Sequence, residues 1–165
     1  MPPFVAHQPA IAHSNDARRL SIAYDNDNIF AKILRGEAPA HTVYEDAQTL
    51  AFLDVMPQAD GHTLFLPKSP AQNIFDLDPE ALGPLMRAVQ TVAAGVRKAF
   101  PADGIRISQL NGPAAGQTVF HLHVHIIPCI EGKPRTPHGT SMADPAVLAE
   151  HATRLKAALE GTTGG

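Results

Sequence analysis

The sequence predicts an α+β protein built on an antiparallel sheet of about five strands, with one long helix packed against the sheet. Three patterns predict this class. Residues 41–53 contain two short apolar segments with a turn between them, apolar residues repeat at intervals of three and four over residues 82–100, and residues 116–128 alternate in polarity with period two. A short N-terminal helix and an extra C-terminal helix complete the expected set.

The composition indicates an ordinary globular protein. Hydrophobic residues make up 44% of the chain and charged residues 18%, and the net charge of −3 gives no support for binding a nucleic-acid polymer through a basic surface. Cys129 is the only cysteine, so neither an intrachain disulfide nor a zinc site built on a cysteine pair is expected. No apolar run approaches the roughly 20 residues that span a bilayer, and no secretory signal is recognisable. We expect a cytoplasmic protein without membrane contact.

The domain boundaries are placed where the periodic patterns begin and end. Residues 1–24 mix Pro, His, Ala and Ser without periodicity and are expected to form a flexible extension. Residues 25–130 are expected to form the single domain, and residues 131–165 a C-terminal loop and helix.

The first helix is predicted over residues 27–36. Asp27 or Asn28 can cap its N-terminus, and Gly36 ends it. From spacing alone, the apolar residues on one side of this helix would anchor it on the core; they are Ile29, Phe30 and Ile33.

Two strands are predicted at residues 41–45 and 49–53, and a third at residues 62–67. Asp54 directly follows the second strand. An acid in this position usually caps a turn or faces solvent, but a carboxylate can also accept hydrogen bonds from both hydroxyls of a ribose. His62 begins the third strand and, taken alone, indicates no function.

The long helix has strong boundary signals. Asp78 is suited to be its N-cap, Pro79 occupies the first helical position, and the apolar repeat continues to about Phe100. This amphipathic helix is expected to cover the sheet. Asp144 begins the final helix in the same way, and that helix is expected to run to about Leu159.

A strand at residues 105–110 is expected to form an antiparallel hairpin-like unit with the segment after residue 116. The connection, residues 111–118, is rich in Gly, Ala and Pro and carries amide and hydroxyl side chains. Glycines let a backbone approach a ligand closely, and clustered N–H groups suit an anion. Next to a row of imidazoles, this loop is a candidate phosphate cradle.

Residues 116–128 are predicted to be one strand with two different faces. His121, His123 and His125 alternate with the apolar residues of the other face, which are Phe120, Leu122, Val124 and Ile126. A histidine-rich solvent face is one interpretation. A zinc site is another, but His121 and His125 lie about 13 Å apart along a strand, so one pair would need a ligand from elsewhere. In the third interpretation the middle imidazole is a nucleophile.

The segment His121–Ile127, HLHVHII, fits the pattern His-φ-His-φ-His-φ-φ, and it follows the run AGQTV at residues 115–119. These motifs resemble those of the histidine-triad nucleotide-binding family, Hint-type branch, and the resemblance extends over residues 27–128. It implies the HIT-like fold, a homodimer with a continuous sheet, and catalysis without a cofactor or a metal.

The resemblance also implies roles for single residues. Ile29, Phe30, Ile33 and Phe52 would form the nucleobase pocket, and Asp54 would bind the ribose hydroxyls. His62 would be a fourth histidine beside the triad. The phosphate and its surroundings would be contacted by the loop residues Asn111, Gln117, Thr118 and Val119.

The implied mechanism begins with attack of neutral His123 on the α-phosphorus of a nucleoside monophosphate ester or amide, which gives a nucleotidyl-histidine that water then cleaves. His125 would bind a phosphate oxygen or protonate the leaving group, while His121 and His62 would orient the row. The implied substrates are purine nucleoside 5′-phosphoramidates and related AMP conjugates such as adenylated lysine-like amines.

Three other functions remain open at this point. A dinucleoside polyphosphate hydrolase would use the same nucleophile with a nucleotide leaving group. A regulatory nucleotide-binding protein would bind AMP with little turnover. A zinc hydrolase would depend on a bound ion and lose activity with a chelator. Loss of phosphoramidate hydrolysis in His123→Ala would exclude the regulatory reading.

Overall fold

A computed structural model describes residues 23–161, so all but the last two residues of the expected extension lie outside the described part. No helix within residues 23–161 is long and apolar enough to cross a membrane. The elements in chain order are α1 (Ile29–Leu34), β1 (Thr42–Glu45), β2 (Thr49–Leu53), β3 (Thr63–Pro67), α2 (Pro79–Ala99), β4 (Gly104–Gln109), a 3₁₀ turn (Pro113–Ala115), β5 (Val124–Cys129) and α3 (Pro145–Glu160).

The five strands form one antiparallel sheet in the order β1-β2-β3-β5-β4. The predicted fold class is therefore confirmed, including the pairing of β4 with the histidine-bearing strand. In that pair Ser108 lies opposite His125 and Arg106 lies opposite Ile127. Directly opposed residues of antiparallel strands point to the same face of a sheet, so these four side chains share one face.

The two faces of the sheet serve different purposes. Phe65, Val124 and Ile126 are buried on the face that packs against α2 and α3. On the opposite face, Phe52 and Leu64 pack with Phe30 of α1 in a smaller cluster. Because side chains alternate along a strand, burial of Val124 and Ile126 under α2 directs His125 to the α1 face. The fold thereby places this imidazole beside the first helix.

The helices begin where the sequence predicts. The side chains of Asn28, Asp78 and Asp144 accept hydrogen bonds from backbone N–H groups in the first turns of α1, α2 and α3. The last helix packs on α2 and β1, and Gly95 permits the close approach of α2 and α3: a Cβ at this position would lie 2.5 Å from a methyl group of Leu159.

The prediction of one strand over residues 116–128 is wrong in its first half. β5 begins at Val124, so His121 and His123 precede the strand, and Phe120 is 37% exposed instead of joining the core. Pairing of β5 with β3 ends at Val124 opposite Phe65. Two residues further along β3 stands Pro67, which has no N–H to continue the ladder. The backbone of residues 121–123 leaves the sheet there, and Leu122 N–H bonds to Ala71 O at 2.7 Å.

Candidate functional site

A cavity of about 360 Å³ lies between α1 and the sheet and collects most of the predicted ligand-binding residues. Its walls are mainly apolar, and its carboxylate comes from Asp54. A pocket with apolar walls and a few polar groups is typical of small-molecule sites. Among the predicted site residues, those that line it are Ile29, Phe30, Ile33, Phe52, Asp54, Thr118, Val119, His123 and His125.

The hydrogen bonds of His123 determine which ring nitrogen carries the proton. Nδ1 lies 2.6 Å from the backbone carbonyl of His121, and a carbonyl only accepts, so Nδ1 is the protonated nitrogen. The lone pair is then on Nε2. The ring is 6% exposed, lines the cavity, and meets Phe30 edge-to-face with centroids 4.9 Å apart. This tautomer and orientation are what a nitrogen nucleophile requires.

His121 is fully buried, and both of its ring nitrogens are bonded. Nε2 donates to the carbonyl of Pro67 at 2.8 Å, and Nδ1 accepts a hydrogen bond from the hydroxyl of Tyr24. The ring therefore holds the backbone whose carbonyl orients His123. Tyr24 was assigned to the extension and was missed as a site residue, because an isolated tyrosine in an aperiodic segment gives no sequence signal for a contact 97 positions away.

His62 and His125 form a hydrogen-bonded pair with a defined direction. The backbone N–H of Gln58 donates to His62 Nδ1 at 3.1 Å, so the neutral ring carries its proton on Nε2. That nitrogen lies 3.0 Å from His125 Nδ1 and donates to it. His125 must then carry its proton on Nε2. The predicted fourth histidine thus fixes the tautomer of the third and makes His125 a donor on its other nitrogen.

Asp54 is buried at the edge of the cavity, and a histidine from the C-terminal loop contacts it. Its Oδ1 accepts a hydrogen bond from Met56 N–H at 2.8 Å, and its Oδ2 lies 3.0 Å from His138 Nε2. Its Oδ2 also lies 3.4 Å from His62 Nδ1. Because a carboxylate has about four acceptor positions, Asp54 can still accept a hydrogen bond from a ribose hydroxyl. His138 lies in the C-terminal loop and helix segment predicted for residues 131–165, and the sequence predicts no role for it. No local pattern distinguishes a lone loop histidine that contacts a residue 84 positions away.

Burial keeps the imidazoles of His62, His121, His123 and His125 uncharged. Desolvation lowers the pKa of His62 to about 4 and, together with the neighbouring imidazoles, the pKa of His125 to about 3. Desolvation also lowers the pKa values of His121 and His123. The nucleophilic form of His123 is therefore populated at neutral pH. His125 is not an acid in the ligand-free protein, and it would become one only when an anionic phosphate raises its pKa.

The side-chain amides of two predicted phosphate ligands, Asn111 and Gln117, are bonded to other protein groups. The side-chain amide of Asn111 bonds to Gln109 and accepts from the N–H of Ile74 at 2.9 Å. Gln117 is buried: its Nε2 donates to the carbonyls of Gln72 and Val119, and its Oε1 accepts from Gly112 N–H. These bonds fix the shape of the loop. Thr118 reaches the cavity.

Within the described residues, one group could hold a metal ion. Asp54, His62 and His125 offer ligand atoms that all lie within 4.8 Å of one another. However, both ring nitrogens of His62 already take part in hydrogen bonds, Nδ1 with Gln58 N–H and Nε2 with His125. A zinc ion would have to replace the bond between His62 and His125, which fixes the tautomer of His125.

The fold agrees with comparisons to known proteins. The HIT domain model matches residues 35–132, and the chain belongs to the HIT family. It is therefore related to nucleotide-binding proteins and nucleotide hydrolases. His138 and Tyr24 lie outside the matched residues.

Three relatives illustrate the range of similarity. The structure of a Hit-like protein from Bartonella henselae is 49% identical, with a TM-score of 0.77 over 82% of this chain and 99% of that chain. A Zn-bound histidine triad family protein from Mycobacterium smegmatis is 35% identical, with a TM-score of 0.73 over 83% and 96%. Adenylylsulfatase HINT3 of Arabidopsis thaliana is 36% identical over 115 residues, which cover 70% of this chain and 58% of that protein.

Proposed function

We propose that this protein is a cytoplasmic hydrolase of purine nucleoside 5′-phosphoramidates and related AMP conjugates, and that it acts through a nucleotidyl-histidine. One observation carries the proposal: the backbone carbonyl of His121 binds Nδ1 of His123 and leaves the Nε2 lone pair at the wall of a nucleoside-sized cavity. A buried, neutral imidazole in this orientation is suited to attack an electrophile.

The cavity supports a nucleoside as the group that is recognised. The aromatic and aliphatic side chains of Ile29, Phe30, Ile33 and Phe52 would contact the flat base. Asp54 would accept hydrogen bonds from the ribose hydroxyls, and Thr118 and the neighbouring backbone N–H groups would bind the phosphate. The proton on His125 Nε2 would be donated to a phosphate oxygen, which places the α-phosphorus next to His123.

The proposed reaction has two displacements. His123 Nε2 attacks phosphorus, and the bond from phosphorus to the leaving nitrogen or oxygen breaks. Water then attacks the same phosphorus, AMP or GMP is released, and Nε2 regains its lone pair. Conjugates with a P–O bond are included because the relative HINT3 is named an adenylylsulfatase. A nucleotide leaving group, as in a dinucleoside polyphosphate, would use the same nucleophile.

Rapid-quench mass spectrometry of the intact protein tests the proposal. Mixing the wild type with an adenosine 5′-phosphoramidate should give a transient adduct of AMP size that maps to His123 by peptide analysis. The adduct should form equally in the presence of a metal chelator. Absence of an adduct together with turnover that persists in His123→Ala, or an adduct that the chelator abolishes, would contradict the nucleophilic mechanism and favour the zinc alternative. Nucleotide binding without turnover would favour a regulatory protein.

We also propose that two chains form a homodimer through β4. This strand lies at one end of the sheet, so the backbone groups of its outer edge lack a strand partner within residues 23–161, and Ile107 on it is 45% exposed. Open edges of this kind are suited to pairing with a second copy. Sedimentation equilibrium at micromolar concentration should give the mass of two chains. The variant Ile107→Pro should give a lower mass. A wild-type mass of one chain would exclude the dimer.

A further inference from the structure

Two cavities meet at the histidines of the site. The large apolar cavity described above lies on one side, and a second cleft of about 130 Å³ lies on the other. Because the scissile bond must lie within reach of His123, the nucleoside in the first cavity would direct the leaving group toward the second. The residues that line both are Thr118, His123, His125 and His138.

The second cleft is lined by polar side chains from β4 and from the loop after β2, among them Arg106, Ser108 and Gln58. The strand register explains why Arg106 belongs to it. Arg106 lies opposite Ile127, and Ser108 lies opposite His125, so both side chains stand on the same sheet face as His125. Homodimer pairing along β4 would use backbone groups and would leave these side chains on this face.

The two cavities beside the histidines are lined by different charges. The large cavity contains the carboxylate of Asp54, whereas Arg106 is the permanently charged group of the small cleft and no carboxylate lines it among residues 23–161. Asp54 is also covered on this side, since its Oδ2 is bonded to His138. No carboxylate in the described part of the chain lies within salt-bridge distance of Arg106. Its guanidinium is therefore available to a ligand.

We propose that the cleft lined by Gln58, Arg106 and Ser108 is the leaving-group subsite and that Arg106 makes it select leaving groups that carry a negative charge. Such groups include sulfate, phosphate, and amines that bear a carboxylate. The guanidinium binds planar or tetrahedral oxyanions through two N–H groups. This inference rests on the proposed function and narrows it, because it disfavours lysine-like amines with a second positive charge.

The bond changes are the same for all these substrates. The Nε2–P bond forms as the P–N or P–O bond breaks, and the electron pair remains on the leaving atom. A leaving amine takes a proton from His125, which is protonated once the anionic phosphate is bound, and the second-step water returns a proton to His125. Sulfate or phosphate can leave as an anion without this proton; His125 then stays protonated, and the proton of the second-step water passes to solvent. Arg106 takes no part in the proton transfers and acts only by binding the departing charge.

A matched series of AMP amides tests the inference. The amides of glycine, glycinamide and ethylenediamine place a carboxylate, a neutral amide and an ammonium at nearly the same distance from phosphorus. We would measure kcat/KM for each with the wild type, Arg106→Gln and Arg106→Glu. Comparing variants on one substrate at a time cancels differences in intrinsic reactivity. The matched control is Arg97→Glu, which makes the same charge change at an exposed position on α2, across the sheet.

Arg106→Glu should lower kcat/KM for the glycine conjugate by about tenfold, the scale of one charge-assisted hydrogen bond, and should raise it for the ethylenediamine conjugate. Arg106→Gln should fall between, and Arg97→Glu should change none of the three. The preference of the wild type for the carboxylate should also shrink at high salt, because Arg106 is exposed. An equal effect of Arg106→Glu on all three amides would overturn the inference while leaving the proposed function intact.

Calorimetry separates failure of this inference from failure of the proposed function. The α,β-methylene analogue of ADP extends a negative group beyond the α-phosphate, whereas AMP does not, and neither requires turnover. The ratio of their affinities should fall in Arg106→Glu. If no amide is hydrolysed by the wild type, the proposed function fails, and this ratio still decides whether the cleft binds an anion. An unchanged ratio would overturn the subsite.

Discussion

Replacing His123 by alanine should lower kcat/KM for an adenosine 5′-phosphoramidate by at least about a thousandfold, which is typical of removing a covalent nucleophile. The reason is specific to Nε2, whose lone pair faces the cavity because Nδ1 is bonded to the carbonyl of His121. AMP should still bind, since the walls formed by α1 and β2 are unchanged. Steady-state kinetics and calorimetry on the same preparation measure the two effects separately.

The matched control is His151→Ala. His151 is a histidine of α3 whose ring packs on Phe100, on the opposite side of the sheet from the site. This variant should keep kcat/KM within a fewfold of the wild type. A His123→Ala protein that folds normally and still turns over at the wild-type rate would show that another group attacks phosphorus.

Acidification from pH 7 to pH 5 should destabilise the protein strongly. The pKa of His62 is lowered to about 4 and that of His125 to about 3, whereas both are near 6.5 in the unfolded chain. Below pH 6.5 the unfolded state therefore binds more protons than the folded state, so the free energy of unfolding falls as the pH falls. Each of these two histidines should contribute a loss of about 2 kcal/mol at pH 5, with the full stability present above pH 6.5.

Urea denaturation at a series of pH values measures this loss. His125→Asn removes one of the titrating groups, so its stability should depend less steeply on pH between 6.5 and 5 than that of the wild type. A free energy of unfolding that is constant or rises between pH 7 and pH 5 would show that the buried imidazoles are protonated in the folded state.

The sequence predicts most of the fold because its signals are local. The caps Asp78 and Asp144 and the apolar repeat of α2 lie within a few residues of the elements that they define. The strand at the histidines was predicted too long because its end depends on a different segment. The alternation of residues 120–123 is compatible with a strand, but Pro67 on β3 offers no N–H partner there, and a local pattern cannot include that information.

The same reasoning separates the predicted site residues from the missed ones. The motif at residues 121–125 and its upstream partners were found because a resemblance connects segments that are distant in sequence. Tyr24 and His138 lie outside the HIT match at residues 35–132, and their contacts to His121 and Asp54 are tertiary. Asn111 and Gln117 are predicted to contact the phosphate, but the side-chain amide of Asn111 bonds to Gln109 of β4 and that of Gln117 bonds to Gly112 of the loop.

The partner of His123 Nδ1 has a further chemical consequence for the proposed cycle. A carboxylate in that position could remove the Nδ1 proton after attack, and the phosphorylated ring would become a neutral, poorly departing imidazole derivative. The carbonyl of His121 can accept a hydrogen bond but cannot take up the proton. The adduct therefore stays a cationic N-phosphoryl imidazolium, from which water readily displaces the imidazole ring. The protein would thus favour a short-lived intermediate, and the second displacement would be fast as a result.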